Sequence, residues 1–396
     1  MELAERSVFQ GIVYYYRENQ VLCRYQVTLT DPVDPVLLQK ALEDARPLAE
    51  YYFQKVVWEK KQAHLAPNDA PCRIRQGSTQ PAIPEDTAEY LFALSWEGST
   101  LYLDWFHFLA DGRGMSPFLT LLVKLYCNLR YGCTLACPPL TDVPAFDVDE
   151  LLARYPESQV ENDFQKEVLD TFEGEPDRAL VRLSKQSLVA LALRHGVKPF
   201  SALTALLARA MGEYLGKEQV IYSFSADTRD VVDTPGALGN CITSFQEPVT
   251  FAPGDSFADY APRIDKTIRD DLSDEKRRFR MAEQMGWVYK VYQQKAPLRI
   301  KKRIYQMGEY LSGFPADFWL SYLGDPFRPG NDPADLAVLE QYIADFQTWV
   351  LPDGASLGVE AVTLGDTITL CIENKARRPG FAEAVEQVAL SVTALP

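Results

Sequence analysis

The stretch "WFHFLADGRG", residues 105–114, decides how the first half of this chain is interpreted. The chain has 396 residues and only three histidines, and one of them, His107, stands here at the end of an aromatic run. Asp111 follows four residues later, with Gly112 and Gly114 directly behind it. A lone histidine is more often structural, but the spacing of His, Asp and Gly in this apolar segment makes it a candidate functional position.

The sequence around this stretch predicts a strand before it and a helix after it. "YLFALSWEGSTLYLDWFHF" predicts a β-hairpin that turns at residues 97–99. "MSPFLTLLVKLYCNLRYG" has apolar residues at helical spacing, with Ser116 placed as the N-cap and Pro117 at the first helical position. His107 therefore ends a strand, and Asp111 lies in the turn before a helix.

This placement suits His107 for proton transfer. A neutral imidazole, with an ordinary pKa of about 6.5, accepts a proton at neutral pH when it is held rigidly in a cleft. The end of a strand provides that rigidity. A carboxylate at Asp111, across a tight turn, can fix the backbone by pairing with an arginine elsewhere, and the glycines let the turn close. We therefore expect an architectural role for Asp111.

The rest of the chain alternates strands and helices. "VLCRYQVTLT" predicts a strand and "DPVDPVLLQKALEDARPLAE" a helix; after residue 178 the order is strand, helix, helix, strand. A helix starts near Ser184 and stops at Gly196, and later strands are expected in "CITSFQEPVTF", "DFWLSYLG" and "AVTLGDTITLCIEN", before a last helix in "PGFAEAVEQVALSVTAL". Both halves mix the two element types, which predicts an α/β or α+β sandwich class.

An acidic, proline-containing segment separates the two halves. We interpret it as a crossover, with a boundary near residue 170. The predicted units are an N-terminal lobe, residues 1–169, whose residues 138–169 form the crossover, and a C-terminal lobe, residues 170–396.

Composition and charge exclude several classes of function. The net charge of −15 opposes general nucleic-acid binding, because phosphates would be repelled by most of the surface. The sequence shows neither an export signal nor an apolar run long enough to span a membrane. Seven cysteines, an odd number, are untypical of a disulfide framework and favour a cytoplasmic location. The spacing of Cys127, Cys133 and Cys137 matches no zinc pattern, so we expect no metal.

One segment is locally basic. The segment from Lys276 to Arg303 contains ten basic residues and one acidic residue, Glu283. This basic segment fits two interpretations. It could contact the phosphates of a nucleotide-containing cofactor or the acidic surface of a carrier protein. Alternatively, it could be a solvated helix surface whose charge balances the acidic surface of the rest of the protein.

At this point the residues carry a resemblance. The pattern H-x-x-x-D-G, here His107, Asp111 and Gly112, resembles the signature of the CoA-dependent acyltransferase superfamily. That superfamily includes chloramphenicol acetyltransferase, the plant BAHD enzymes, alcohol and mycolipid acyltransferases, and the condensation domains of nonribosomal peptide synthetases. "SADTRDVVDTPGALGNCITSF" resembles its D-x-R segment followed by Gly-Asn, and "DFWLSYLG" resembles its late strand ending in Ser-x-x-Gly. The matching positions are Asp227, Arg229, Gly239, Asn240, Ser321 and Gly324.

The resemblance implies two chloramphenicol-acetyltransferase-like lobes with a tunnel between them, into which His107 projects. By the same implication His107 is the general base for direct attack of an acceptor hydroxyl or amine on an acyl thioester. Ser321 is the candidate oxyanion donor, and Arg229 the expected partner of Asp111. Asn240 and Gly239 either shape the tunnel wall or cap a turn.

The implied co-substrate is acyl-CoA or a phosphopantetheine thioester, with no permanently bound cofactor, and the partners are a small acceptor and, in the alternative, an acyl carrier protein. A carrier-dependent condensing enzyme and an inactive binding module of the same fold stay open as alternatives. The sequence departs from the superfamily pattern in two places. Phe106 stands where many relatives have a second histidine, and the D-F-G-W-G motif of the plant enzymes is absent.

Overall fold

The computed structural model describes residues 11–17, 20–59, 62–143, 146–156, 176–312, 316–350, 356–376 and 378–393. The helices are α1 (residues 11–16), α2 (Pro35–Ala45), α3 (Gly112–Tyr131), α4 (Val148–Arg154), α5 (Lys185–Arg194), α6 (Pro199–Leu215), α7 (Phe257–Asp271), α8 (Asp274–Tyr292), α9 (Leu298–Ser312), α10 (Pro333–Leu339) and α11 (Phe381–Thr393). Within these residues, none of the helices has the length and apolar character needed to cross a membrane.

The strands form three sheets. They are β1 (Leu22–Leu29), β2 (Gln54–Glu59), β3 (Gln62–Pro67), β4 (Arg75–Gln76), β5 (Phe92–Glu97), β6 (Thr100–Phe106), β7 (Asp177–Ser184), β8 (Gln219–Asp227), β9 (Ile242–Thr250), β10 (Phe318–Gly324), β11 (Ile343–Trp349), β12 (Leu357–Leu364) and β13 (Thr367–Asn374). Strands β2 and β3 pair only with each other. The mixed α/β class predicted from the sequence is confirmed.

The first sheet has the strand order β11-β1-β6-β5-β4. Strands β5 and β6 form the predicted hairpin, with Glu97 opposite Thr100 across the turn. Strand β1 pairs with β6 along its length, from Leu22 opposite Phe106 to Thr28 opposite Thr100. This pairing places the end of β6, and the histidine that follows it, beside the start of β1.

The second sheet has the order β7-β13-β12-β10-β8-β9, and β10 runs parallel to both β12 and β8. Its two faces differ because successive side chains alternate along each strand. Leu320, Val359 and Ala361 are fully buried in the hydrophobic core that helices α5, α6, α7 and α11 complete. Ser321 and Glu360, one residue further along these strands, lie on the opposite face and form a register pair.

The first elements of this half match the sequence prediction. The Ser184 hydroxyl caps α5 by accepting from the backbone N–H of Ser187 at 3.2 Å. After α5, Gly196 has a φ of 65°, the left-handed conformation that ends helices and favours glycine. Strand β7, helices α5 and α6, and strand β8 follow in the predicted order.

Two parts of the second half complete the core of the first. Strand β11 forms the edge of the first sheet, where Phe346 lies opposite Val27 of β1. Met281, Met285 and Val288 of α8 belong to the first hydrophobic core. The predicted boundary near residue 170 lies outside the described residues and stays a prediction.

The predicted start of α3 was wrong. The helix begins at Gly112 rather than after Ser116, and Pro117 lies inside it. Asp111 is the N-cap, because its carboxylate accepts from the backbone N–H of Gly114 at 2.7 Å. The negative charge of the Asp111 carboxylate is stabilised at the positive end of the helix, an interaction that the neutral Ser116, five residues further on, does not provide.

We expect Phe346→Ala to show how much β11 contributes. Phe346 is 1% exposed, and its ring centroid lies 5.3 Å from that of Tyr25 and 5.6 Å from that of Phe327. Removing the ring should lower the free energy of unfolding by about 3–5 kcal/mol, measured by denaturant titration. Val36→Ala, at a side chain that is 75% exposed, is the control and should change it by less than about 0.5 kcal/mol. Equal effects in the two variants would contradict a core role for β11.

Candidate functional site

His107 lies in the turn that joins β6 to α3. Its backbone N–H donates to the carbonyl of Val21 at 2.9 Å, and the backbone N–H of Leu109 donates to the carbonyl of Phe106 at 2.9 Å. The side chain is 7% exposed. Five residues later the chain enters α3 at Gly112, so a strand and a helix hold the turn from both ends.

The loop after β8 holds the same turn from the second half of the chain. The Asn240 side-chain amide donates to the carbonyl of His107 at 2.8 Å and to that of Phe108 at 3.1 Å. The sequence left two roles open for Asn240, and the structure shows it binding the backbone of the histidine turn. The contact fixes the histidine backbone against a segment more than 130 positions away.

Asp111 is the centre of a buried ionic network. One carboxylate oxygen, Oδ1, accepts from Arg229 Nη2 at 2.9 Å and from the N–H of Gly114, and the other, Oδ2, accepts from the N–H of Cys241 at 2.8 Å. Arg229 also donates to the carbonyls of Ala237 and Gly239, at 2.8 and 2.7 Å. The contacts of Asp111 with Arg229 and with Cys241 therefore tie the turn before α3 to the loop between β8 and β9.

Burial is the largest single effect on Arg229 and lowers its pKa, but the charge and hydrogen bond of Asp111 together with the nearby Cys241 and Asp227 outweigh it, so the pKa of Arg229 is raised above its ordinary value. The guanidinium also contacts Asp227 Oδ1 at 3.0 Å. The D-x-R segment thus supplies two members of the network, the cation Arg229 and a second carboxylate, Asp227.

Gly114 makes the close approach of helix and loop possible. A Cβ at this position would lie 2.1 Å from the carbonyl oxygen of Leu238. Gly112 is less crowded, with its Cβ position 3.0 Å from the Tyr25 hydroxyl, which donates to the Gly112 carbonyl. Of the two glycines, Gly114 has the stricter steric requirement.

The ring of His107 is packed by a residue that the sequence analysis missed. Tyr14 of α1 stacks on it, with ring centroids 4.0 Å apart and planes inclined by 18°. The approach of α1 depends on Gly11, whose Cβ would lie 2.0 Å from the carbonyl oxygen of Phe108. A glycine at the start of "GIVYYY" was the available signal, because it breaks an otherwise bulky segment.

Burial is the main cause that lowers the pKa of His107, from 6.5 to about 4. The nearby Asp111 carboxylate acts in the opposite direction without offsetting it. Among the described residues, Nδ1 of the ring has no hydrogen-bond partner. The imidazole is therefore neutral at pH 7 and able to accept a proton.

A cavity of about 120 Å³ opens beside this ring and is lined from both sheets. His107, Asp111 and Trp105 line it from the first half of the chain. The wall from the second half comprises Ser225, Asp227, Ile242, Trp319, Ser321, Tyr322, Leu323, Thr348, Val350 and Glu360. The structure thus brings His107, Asp111, Gly112 and Ser321 to one cavity, with Arg229 and Asn240 behind it.

With this geometry established, known structures provide a comparison. Polyketide synthase associated protein 5 from Mycobacterium tuberculosis aligns over 99% of this chain and 98% of its own, with 16% identity and a TM-score of 0.66. The first condensation domain of the CDA synthetase aligns over 98% and 96%, with 15% identity and a TM-score of 0.63. The chain has the condensation-domain fold.

A further neighbour was solved with an acyl-CoA. The starter condensation domain of rhizomide synthetase, in complex with C8-CoA, aligns over 98% of this chain and 94% of its own, with 13% identity and a TM-score of 0.60. No family model and no curated protein sequence matches the chain. At these identities the likeness confirms the superfamily resemblance as a shared fold.

Within the condensation-domain fold, the basic segment does not form one solvated surface. Arg278 and Arg280 donate to the carbonyls of Val231 and Ser244, at 2.6 and 2.8 Å. Lys301 is 1% exposed and donates to the carbonyl of Tyr292. The exposed members are Lys276, Lys290, Lys295, Arg299 and Arg303. Part of the segment therefore ties α8 and α9 to the protein.

The other histidines lie away from the cavity. His64 is on β3, and His195 follows α5, with its ring 5.0 Å from that of Phe257. In the described part of the chain, no group of three or more His, Cys, Asp or Glu side chains is arranged to hold a metal ion.

We expect Asp111→Asn to destabilise the protein strongly. The change removes the negative charge that is paired with the buried Arg229. Breaking a buried ion pair lowers the free energy of unfolding by about 3–5 kcal/mol. Asp44→Asn makes the same change in the exposed Lys40–Asp44 pair and should cost less than about 1 kcal/mol. Denaturant titration measures both. A loss at Asp111 no larger than that at Asp44 would contradict the structural role of the pair.

Proposed function

We propose that this protein is an acyltransferase that moves an acyl group from a thioester to the hydroxyl or amine of a small acceptor. The observation that carries the proposal is the position of His107: a neutral imidazole, fixed by Asn240 and by the Asp111 network, beside a cavity lined from both sheets. This arrangement supplies a positioned base next to a cavity that both halves of the chain line.

In the proposed reaction His107 takes the proton of the acceptor while the acceptor oxygen or nitrogen attacks the thioester carbonyl. The C–S bond then breaks, and the thiolate leaves with the proton that His107 returns. A ring with a pKa near 4 is a weak base in the empty cavity. Negative charge that develops on the carbonyl oxygen favours the imidazolium and so assists the transfer.

Ser321 is the proposed oxyanion donor. It lies on β10 and lines the cavity with His107, which supports the assignment. Its hydroxyl also hydrogen-bonds to Glu360, so the oxyanion must compete with that carboxyl group for the same proton. Asp111, Gly112, Arg229 and Asn240 are proposed to position the base rather than to touch the reacting atoms.

We propose acyl-CoA as the donor, with an acyl carrier protein as the alternative. Both deliver a phosphopantetheine thioester, and exposed cations of the basic segment, such as Lys290 and Arg299, suit the phosphates of either. The neighbour solved with C8-CoA supports the first donor. All seven cysteines are free, in keeping with the cytoplasmic location we propose.

The central test is His107→Ala with acetyl-CoA and a mixture of alcohols and amines, in which a thiol reagent measures the release of CoA. We expect the acceptor-dependent rate to fall by about 10²- to 10⁴-fold, since a positioned base contributes that much, while the melting temperature stays nearly unchanged. His64→Ala is the matched control and should keep full activity. Undiminished CoA release in His107→Ala would refute the base assignment. If the wild-type protein released none with any acceptor, a binding module would be the better interpretation.

The pH dependence of the same reaction follows from the burial of His107. Because the pKa is lowered to about 4, the ring stays in its base form until the pH falls towards that value. With an alcohol as the acceptor, we expect kcat/KM to remain flat from pH 8 to pH 6 and its acid limb to lie well below 6.5. An acid limb at the ordinary histidine value would show that the ring is hydrated or paired during the reaction.

A further inference from the structure

Glu360 is the buried acidic group that the proposed reaction does not use. It lies on β12, opposite Ser321 of β10 and Cys371 of β13 in the strand ladder. The residue is 4% exposed and lines the same cavity as His107. It approaches that cavity from the second sheet, whereas His107 approaches it from the first.

The other carboxylates that line this cavity are neutralised by arginines. Asp111 binds Arg229, and Asp227 binds both Arg113, at 2.8 Å, and Arg229. Glu360 differs: within the described residues it forms no ion pair, and its Oε1 has no hydrogen-bond partner. A buried carboxyl oxygen without a donor costs free energy unless a ligand supplies one.

The surroundings of Glu360 favour its neutral form when the cavity is empty. Burial is the largest cause that raises its pKa well above the ordinary value; a hydrogen bond from Ser321 lowers it, and the charge of Glu373 raises it. Arg178 binds Glu373 at 2.9 Å. Cys23, Tyr25 and Cys371 also interact with Glu360, and none of them is a cation at neutral pH. Arg113, a cation that lines the same cavity, is paired with Asp227 at 2.8 Å.

We propose that the acceptor is a small primary amine and that Glu360 is the group that binds its ammonium. An ammonium supplies the positive charge and the donors that this carboxyl group lacks, and the carbon body would pack against Trp105, Trp319 and Val350 of the wall. A neutral alcohol supplies one donor and no charge. The inference rests on the proposed acyl transfer for its place in the reaction, but recognition is measurable without turnover.

The reaction of such an acceptor balances without a further reactant. The ammonium and the carboxyl group together lose one proton to solvent on binding, which leaves an ammonium beside a carboxylate. The carboxylate then accepts one proton from the ammonium, and the freed lone pair of the nitrogen attacks the thioester carbonyl. His107 removes a second proton from the nitrogen, the C–S bond breaks, and the thiolate takes that proton. In sum, an ammonium and a thioester give an amide, a thiol and one released proton.

The test uses the wild-type protein with benzylamine and its neutral counterpart, benzyl alcohol, in titration calorimetry at pH 7. We expect benzylamine to bind roughly 10- to 100-fold more tightly, the range for a hydrogen bond to a charged group. Titrations in buffers of different ionisation enthalpy should show about one proton released per benzylamine and none per benzyl alcohol. Equal affinities, or benzylamine binding without proton release, would overturn the proposal.

Two glutamate variants test whether Glu360 is the residue that binds the ammonium. Glu360→Gln keeps the size of a neutral carboxylic acid, so its melting temperature should stay close to that of the wild type, and it should remove both the preference for benzylamine and the proton release. Glu97→Gln makes the same change at the exposed hairpin turn and should keep both. A preference that survives in Glu360→Gln would overturn the assignment. CoA release with alcohols but no amine preference would refute this inference alone, whereas an amine preference without CoA release would refute the proposed transfer alone.

Discussion

The buried contact between Asp111 and Arg229 is the interaction on which the site depends. It joins the turn before α3 to the loop after β8, and it does so inside the protein, where a charge without its partner is costly. The same carboxylate caps α3 and binds the backbone of the β8–β9 loop. His107 has no direct part in this network, but its turn runs into Asp111, and Asn240 of the same loop binds the carbonyl of His107.

The two sheets contribute different kinds of surface to the cavity. The first sheet presents the ends of aromatic strands, and the second presents the more polar face of strands whose other face forms most of a hydrophobic core. The alternation of side chains along β12 explains this difference. Val359 and Ala361 belong to the core, and Glu360 between them faces the first half of the chain across the cavity. A polar group therefore reaches the interior of the molecule without disturbing the core of its own sheet.

Much of this architecture is predictable from the sequence, because local patterns determine it. The β5–β6 hairpin, the Ser184 cap of α5 and the glycine after that helix follow from alternation, capping and backbone preference. The same local reasoning misplaced the start of α3, since Ser116 has the form of a cap and only the fold shows that Asp111 occupies that role. Tyr14 and Glu360 were missed for a different reason. Their positions depend on contacts between distant segments, and neither stands in a motif that spacing alone would reveal.

Strand β11 affects how the polypeptide acquires its structure during synthesis. The first sheet consists of strands made early, except for this one, which lies beyond residue 340 and covers the outer edge of β1. Until the ribosome has added it, β1 presents unpaired amide and carbonyl groups on that side, the kind of open edge on which chains associate wrongly. The amino-terminal half therefore cannot complete its sheet until β11 has been synthesised.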